Sequence, residues 1–290
     1  LYYTMTDPFS HALDQSVVEQ FDCDGYVVTP EVLTDTELAR YSRALDLEVA
    51  RRTQTDNREV ATKSTYEQSF IQCMRLWETS VDVLPLTCHT GLASVAAQLL
   101  QVPSVRLWQD QALYKEPGGR ETTPHQDQTF WPIGVQGLLT AWIPLDDVSI
   151  ASGAMAYVPG SHKAGRLKVV DITHTTEPYD ILSDDALQGR APKPVEVSAG
   201  SVIWHHGLTV HQASANTTSA MRRVFTIVYI DAAAQRTQAW PAYPLDRDGV
   251  EVGAVIAGPG MPILWPPPAI LPKPPTQISV LVGPQTTDQS

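Results

Sequence analysis

The chain is poor in the features that mark several large protein classes. Its three cysteines, Cys23, Cys73 and Cys88, are odd in number and none stands in C-x-x-C spacing. Neither a disulfide framework nor a structural zinc site is expected, and a reducing cytoplasm is the simplest compartment. No run of eighteen apolar residues exists, which excludes a transmembrane helix of ordinary length. Leu1 to Ser10 lacks a basic segment followed by an apolar one, so no secretory leader is expected there, and Met5-Thr6-Asp7-Pro8 reads like a start. Basic residues are outnumbered 20 to 32, for a formal net charge of −12. Nucleic acid and anionic membrane are therefore not the expected partners. What remains is ordinary globular composition, 43% hydrophobic and 18% charged, which argues against disorder and leaves a small-molecule partner open.

The pattern along the chain predicts one domain, 1–290, in three stretches. The first, about 10–102, is helical. Ser16 to Glu19 and Thr34 to Glu37 fit S/T-x-x-E capping boxes. Leu38, Tyr41, Leu45 and Val49 recur at helical spacing, and Gly91 to Leu100 is a further apolar helix. Asp24-Gly25 followed by Tyr26-Val27-Val28 reads as a turn and a short strand. The second stretch, about 103–232, alternates short β-rich runs with turns: Val105–Tyr114, Gly137–Pro144, Met155–Val158, Val195–Val197, Ser201–Trp204 and Val224–Ile230. Such spacing predicts an all-β sandwich or barrel. A long polar stretch, Pro159 to Lys193, interrupts it and suggests a functional loop. The third stretch, 233–290, is proline-rich: the last fifty residues hold eleven of the 23 prolines. Proline fixes φ and lacks a donor, so this part should wrap the domain in extended conformation.

The chemistry concentrates in Pro124-His125-Gln126-Asp127. In an extended chain, residues i and i+2 point the same way, so His125 and Asp127 would present an imidazole and a carboxylate to one point. A third ligand would complete a two-histidine, one-carboxylate facial triad with open positions. Trp204-His205-His206 and His211 supply three candidates. His211 is preferred because Arg222 follows it by eleven residues, on the approach to a strong strand. An arginine there suits the far carboxylate of a keto-acid chelated to the metal, through bidentate charge-assisted bonds. Arg223 should point to the opposite face.

These residues, with Ala141-Trp142, Ser152-Gly153-Ala154-Met155, Val158-Pro159-Gly160-Ser161-His162-Lys163 and Asn216, resemble the phytanoyl-CoA dioxygenase family of iron(II)- and 2-oxoglutarate-dependent oxygenases. The resemblance spans about Leu113 to Ile230. It implies a mainly β fold with flanking helices, a double-stranded β-helix (jelly roll, cupin-like) with the metal near its mouth. It also implies iron(II), with 2-oxoglutarate and dioxygen as co-substrates, and hydroxylation of a substrate C–H bond with release of succinate and carbon dioxide. Carried over, it assigns the metal to His125, Asp127 and His211, the far carboxylate of 2-oxoglutarate to Arg222, and the lining of the site to Trp142 and Gln126. Many relatives carry Gly-Ser directly after the second ligand histidine, whereas this chain has Gln212-Ala213 and then Ser214. Thr140, Tyr114 or Lys115 could replace that hydroxyl contact.

Phe130, Trp131 and His206 are candidate substrate-lining residues, with the pocket drawn from the N-terminal part and the 159–193 loop. His162, His11, His89 and His174 read as structural. Asp127 argues against halogenation, which needs a small residue in place of the carboxylate. Two rival readings of the triad remain at this stage, a zinc hydrolase and a non-catalytic jelly-roll binding protein. The acidic balance favours a small polar metabolite or natural-product intermediate over a CoA thioester.

Overall fold

The computed structural model describes residues 12–134 and 137–276. The reading of Met5, that of His11 and the end of the proline-rich tail lie outside the described residues. Among the described residues no helix is long and apolar enough to cross a membrane.

Four helices occupy the first hundred residues: α1 (Gln15–Asp24), α2 (Asp35–Thr53), α3 (Leu84–Thr87) and α4 (Thr90–Leu100). The Thr34–Glu37 capping box forms as expected, Thr34 accepting from the Glu37 amide and Glu37 from that of Thr34. The Ser16 box does not. Asp14 caps α1 instead, accepting from the Ser16 amide at 2.8 Å, so the helix starts before Ser16 and places that residue inside its first turn. Gly25, at φ +78°, ends α1, and a Cβ there would lie 2.4 Å from both His162 Nδ1 and Thr209 Oγ1.

The strands form two antiparallel sheets. The larger runs β1 (Tyr26–Thr29), β8 (Val202–His206), β5 (Leu138–Pro144), β10 (Arg222–Asp231), β3 (Val105–Lys115) and β11 (Ile263–Trp265). β2 (Ile71–Met74) shares the long edge of β3. The smaller runs β4 (Thr122–His125), β9 (His211–Ala213), β6 (Met155–Tyr157) and β7 (Lys193–Val195). β7 begins earlier than predicted, and Val197 pairs with Val148 outside it. β2, β4, β9 and β11 went unpredicted because runs of three or four residues show no usable alternation.

The period of two sorts the central strands. On β10, Phe225, Ile227 and Tyr229 pack into the main core with Tyr41, Leu45 and Val49 of α2 and most of α4. Arg222, Val224, Thr226 and Val228 face the opposite way, toward the smaller sheet and a cavity. β3, β5 and β8 divide likewise: Ala112, Leu139, Ala141 and Trp204 lie on the helix side, and Gln111, Thr140, Trp142 and His205 on the cavity side. Each fully buried leucine or valine contributes about 1.5–3 kcal/mol. The 159–193 loop is anchored by its own apolar cluster, Val158, Val170, Ile181, Leu187 and Val210. Beyond β10 lies α5 (Tyr243–Arg247), pinned by Arg247 bonding both oxygens of buried Glu78 at 3.0 Å.

Asp110, on the helix side of β3, is wholly buried. It accepts from the Leu76 and Trp77 amides at 2.7 and 3.0 Å and from Thr87 Oγ1 at 2.6 Å, fixing the turn at Leu76–Glu78 and α3 to the sheet. Burial pushes its carboxyl up to about 6, against those three donors. Asp110→Ala leaves two buried amides unsatisfied and should lower stability by about 3–5 kcal/mol. Asp110→Asn, which keeps one acceptor, should cost less. Urea unfolding midpoints check this, and equal midpoints for both variants and the parent would refute the anchoring role.

Candidate metal centre

His125 ends β4 and His211 opens β9, and the two are cross-strand partners in the ladder. Cross-strand residues stand close enough for their side chains to meet, and these rings lie 4.4 Å apart between centroids. Gln126 is extended (φ −113°, ψ 125°) and Asp127 begins a 3-10 turn. The i, i+2 logic therefore holds across Gln126, and Asp127 points where His125 does. One ligand atom from each of His125, Asp127 and His211 lies within 4.8 Å of the others. Asp127 Oδ1 is 3.4 Å from His125 Nε2 and 3.5 Å from His211 Nε2. Two donors about 2.1 Å from one ion stand about 3.0 Å apart at a right angle and about 3.4 Å apart at a tetrahedral one, so the spacing suits a shared cation.

The tautomers suit it too. His125 Nδ1 bonds the Thr123 carbonyl at 2.7 Å and His211 Nδ1 that of Thr209 at 2.9 Å. A carbonyl only accepts, so both Nδ1 atoms carry the proton and both Nε2 lone pairs face the centre. Asp127 is partly buried, and its desolvation alone would raise its pKa, but His211, His125 and His205 around it hold it well below the usual carboxylate range.

His205 is the residue that sequence reasoning passed over in favour of its neighbour. Its Nε2 lies 3.2 Å from Asp127 Oδ2, which Thr140 Oγ1 also donates to at 3.1 Å. Tyr157 O–H meets His205 Nδ1 at 3.1 Å. Burial pushes His205 down to about 4, so it is neutral and donates through Nε2. The two Asp127 oxygens are thus divided, Oδ1 to the cation position and Oδ2 to Thr140 and His205. Strand pairing gave a signal: His205 faces Thr140 across β8 and β5.

Arg222 is buried in the cavity wall, its guanidinium 5.5 Å above the Trp142 ring. It donates to the carbonyls of Gly153 at 3.0 Å and Leu113 at 3.3 Å, while its Nε has no partner. Burial pushes it down to about 10, and among the described residues no carboxylate pairs with it. Arg223 faces outward to Asp146 and Asp46, as expected.

The cavity, of about 180 Å³, is lined by His125, Asp127, His205, His211, Thr140, Trp142 and Arg222, and by the half-buried Phe130 and Trp131. Three expectations are corrected. Tyr114 lies on the helix side of β3, its hydroxyl bonded to Asp46 at 2.8 Å. Gln126, the residue between two inward-pointing ligands, turns away and ties the Gly165 and Leu208 carbonyls to the Leu167 amide. His206, one step along β8 from His205, packs against Phe21 and His162. Lys115 is buried beneath Arg222, donating to the Arg120 carbonyl, and burial and Arg222 together push it down to about 7. Ser214 does not line the cavity, whereas Thr122 and Thr226 do. Pro241, Ala242 and Pro244 supply a wall from the C-terminal stretch that was not foreseen.

The sequence model of the phytanoyl-CoA dioxygenase family matches residues 21–224, a span that includes the triad and Arg222. Phytanoyl-CoA dioxygenase domain-containing protein 1 of Danio rerio is 36% identical over 149 residues, 48% of this chain and 49% of that protein. A probable alpha-ketoglutarate-dependent hypophosphite dioxygenase of Stutzerimonas stutzeri is 32% identical over 161 residues, 53% and 54% of the two. The chain spans about half the length of these curated relatives. Among solved structures, the non-heme alpha ketoglutarate dependent carbocyclase SnoK from nogalamycin biosynthesis matches with TM-score 0.70 at 28% identity, over 87% of this chain and 96% of its own. The epimerase SnoN, in complex with Fe3+, alpha ketoglutarate and nogalamycin RO, matches with TM-score 0.69 at 28% identity, over 86% and 98%. By the family match and the shared jelly-roll sheets, the chain belongs to the phytanoyl-CoA dioxygenase family of iron- and 2-oxoglutarate-dependent oxygenases.

Proposed function

We propose that the protein is an iron(II)- and 2-oxoglutarate-dependent dioxygenase that hydroxylates a C–H bond of a small-molecule metabolite or natural-product intermediate, releasing succinate and carbon dioxide. One observation carries this reading. Two histidine Nε2 atoms and Asp127 Oδ1 converge in the same cavity that holds Arg222, a buried cation with an unpartnered Nε. A zinc hydrolase would leave Arg222 without a task. Iron(II), when bound, supplies the activation of dioxygen that couples decarboxylation of 2-oxoglutarate to attack on the substrate.

The chain's own residues divide the remaining work. His125, Asp127 and His211 would hold the ion through the two Nε2 atoms and Oδ1 that converge here. Thr140 and His205 restrain Asp127 Oδ2, which would leave Oδ1 to the ion. Arg222, held by two backbone carbonyls and the Trp142 ring, receives the far carboxylate of 2-oxoglutarate and sets which end reaches the ion. Cavity walls from both sheets keep water from the reacting carbon. The carbocyclase SnoK and the epimerase SnoN represent other outcomes to which the same C–H attack can lead.

His125→Ala, Asp127→Ala and His211→Ala should each abolish iron-dependent succinate formation, and with it the visible charge-transfer band of the anaerobic iron(II)–2-oxoglutarate complex, while circular dichroism stays native. Absence of that band in the parent protein would sink the proposal. Arg222→Ala loses a buried charge-assisted contact, worth roughly 2–5 kcal/mol, so the KM for 2-oxoglutarate should rise more than tenfold. Arg223→Ala should leave it nearly unchanged, and equal effects would overturn the assignment. His205→Phe keeps the ring and removes the bond to Asp127. It should weaken iron binding about 10- to 100-fold without lowering the melting temperature by a comparable margin; unchanged iron affinity would show that the contact positions nothing.

A further inference from the structure

The cavity has walls beyond those that hold the ion and the co-substrate. Tyr66, Phe70, Trp108, Phe130 and Trp131 give it aromatic faces, and Gln72, Gln109 and Gln111 give it uncharged amides. The amides form a chain, in which Tyr66 O–H donates to Gln72 at 3.0 Å and Gln72 to Gln111 at 2.6 Å. Met74, Ile172, Pro241, Ala242 and Pro244 complete the lining. Among the described residues the only Asp, Glu, Lys or Arg side chains on it are Asp127 and Arg222.

Those two are already balanced. The divalent ion and Arg222 carry three positive charges, and Asp127 with the 2-oxoglutarate dianion carries three negative ones. A substrate bringing a phosphate, a carboxylate or an ammonium to the inner cavity would meet no opposite charge there. Burying an unpaired ion costs several kcal/mol.

Trp108 adds a positive requirement. β3 and β10 pair Gln109 with Val228 and Leu107 with Tyr229, so Trp108 is the extra residue of a bulge. Bulges re-aim side chains beside active sites, and this one brings Trp108 onto the cavity face next to Gln109, 5.9 Å from the Trp131 ring. Its side chain is buried and its indole Nε1 has no partner. Indole nitrogen only donates, so Trp108 brings an unpartnered donor to the cavity wall, beside a Trp131 ring tilted 56° to its own.

We infer that the substrate is an uncharged, ring-bearing aromatic molecule with at least one carbonyl, ether or hydroxyl oxygen, which packs against the wall formed by Trp108 and Trp131 and accepts a hydrogen bond from Trp108. This rests on the oxygenase reading and narrows it, setting aside acyl-CoA thioesters, zwitterionic amino-acid derivatives and phosphonates.

The test is anaerobic calorimetric titration of the iron(II)–2-oxoglutarate complex with a flavanone, a dihydroxyanthraquinone, hexadecanoyl-CoA and L-proline, followed by succinate release in air. The neutral ring compounds should bind at least tenfold more tightly than either charged one and stimulate succinate release. Trp108→Phe should weaken their binding roughly three- to tenfold, the worth of one neutral hydrogen bond, with 2-oxoglutarate affinity and the charge-transfer band unchanged. Tighter binding of the thioester or the amino acid, no binding of either ring compound, or an unaltered affinity in Trp108→Phe would overturn the inference. A missing charge-transfer band in the parent protein would strike the oxygenase reading instead, so the two failures are told apart.

Discussion

The antiparallel pairing of β10 with β3 and β5 is the constraint on which the rest depends. These strands are buried on both faces, so the alternation of side chains decides which residues make the hydrophobic core and which make chemistry. Phe225, Ile227 and Tyr229 join the helices, while Arg222 and Thr226, interleaved with them, face the cavity. A slip of one residue would put a guanidinium into the helix-packed core and an aromatic ring into the cofactor pocket. Register is therefore strongly specified here, and the positions of Trp142 and Arg222 relative to each other follow from it.

The metal-ligating arrangement depends on the second, smaller sheet. β4 and β9 are short, yet they set His125 opposite His211, and one extended residue later Asp127 completes the group. The smaller sheet supplies two ligands and the larger sheet the residues that steady the third, Thr140 and His205. The cavity lies where the two sheets face each other, and stability and function share its walls.

Much of this was legible in the residues. The convergence of the triad, the opposite facing of Arg222 and Arg223, and the place of Trp142 on the cavity all follow from i, i+2 alternation or from family motifs, and most long strands announce themselves. What was not legible required knowing a face. His205 and His206 are chemically identical neighbours, and only the pairing of β8 with β5 tells which enters the cavity. Tyr114 and Gln126 failed for the same reason, each lying one residue from a position that does face inward. The wall from Pro241 to Pro244 was hidden for another: it is held by the contact of Arg247 with Glu78, 169 residues apart, and no local pattern encodes such a distance.

The bulge at Trp108 has a consequence for how this chain should be compared with others. A one-residue deletion in a strand normally inverts every side chain beyond it. Here the partner strand already skips Trp108, pairing Val228 with Gln109 and Tyr229 with Leu107. Removing Trp108 would therefore restore a regular ladder and leave both flanking stretches on their present faces. The residue behaves as an insertion that the sheet absorbs without penalty to register. Against a chain with a regular ladder here, an ungapped alignment through β3 would misplace Val105 to Leu107 by one position, and the gap would belong at 108.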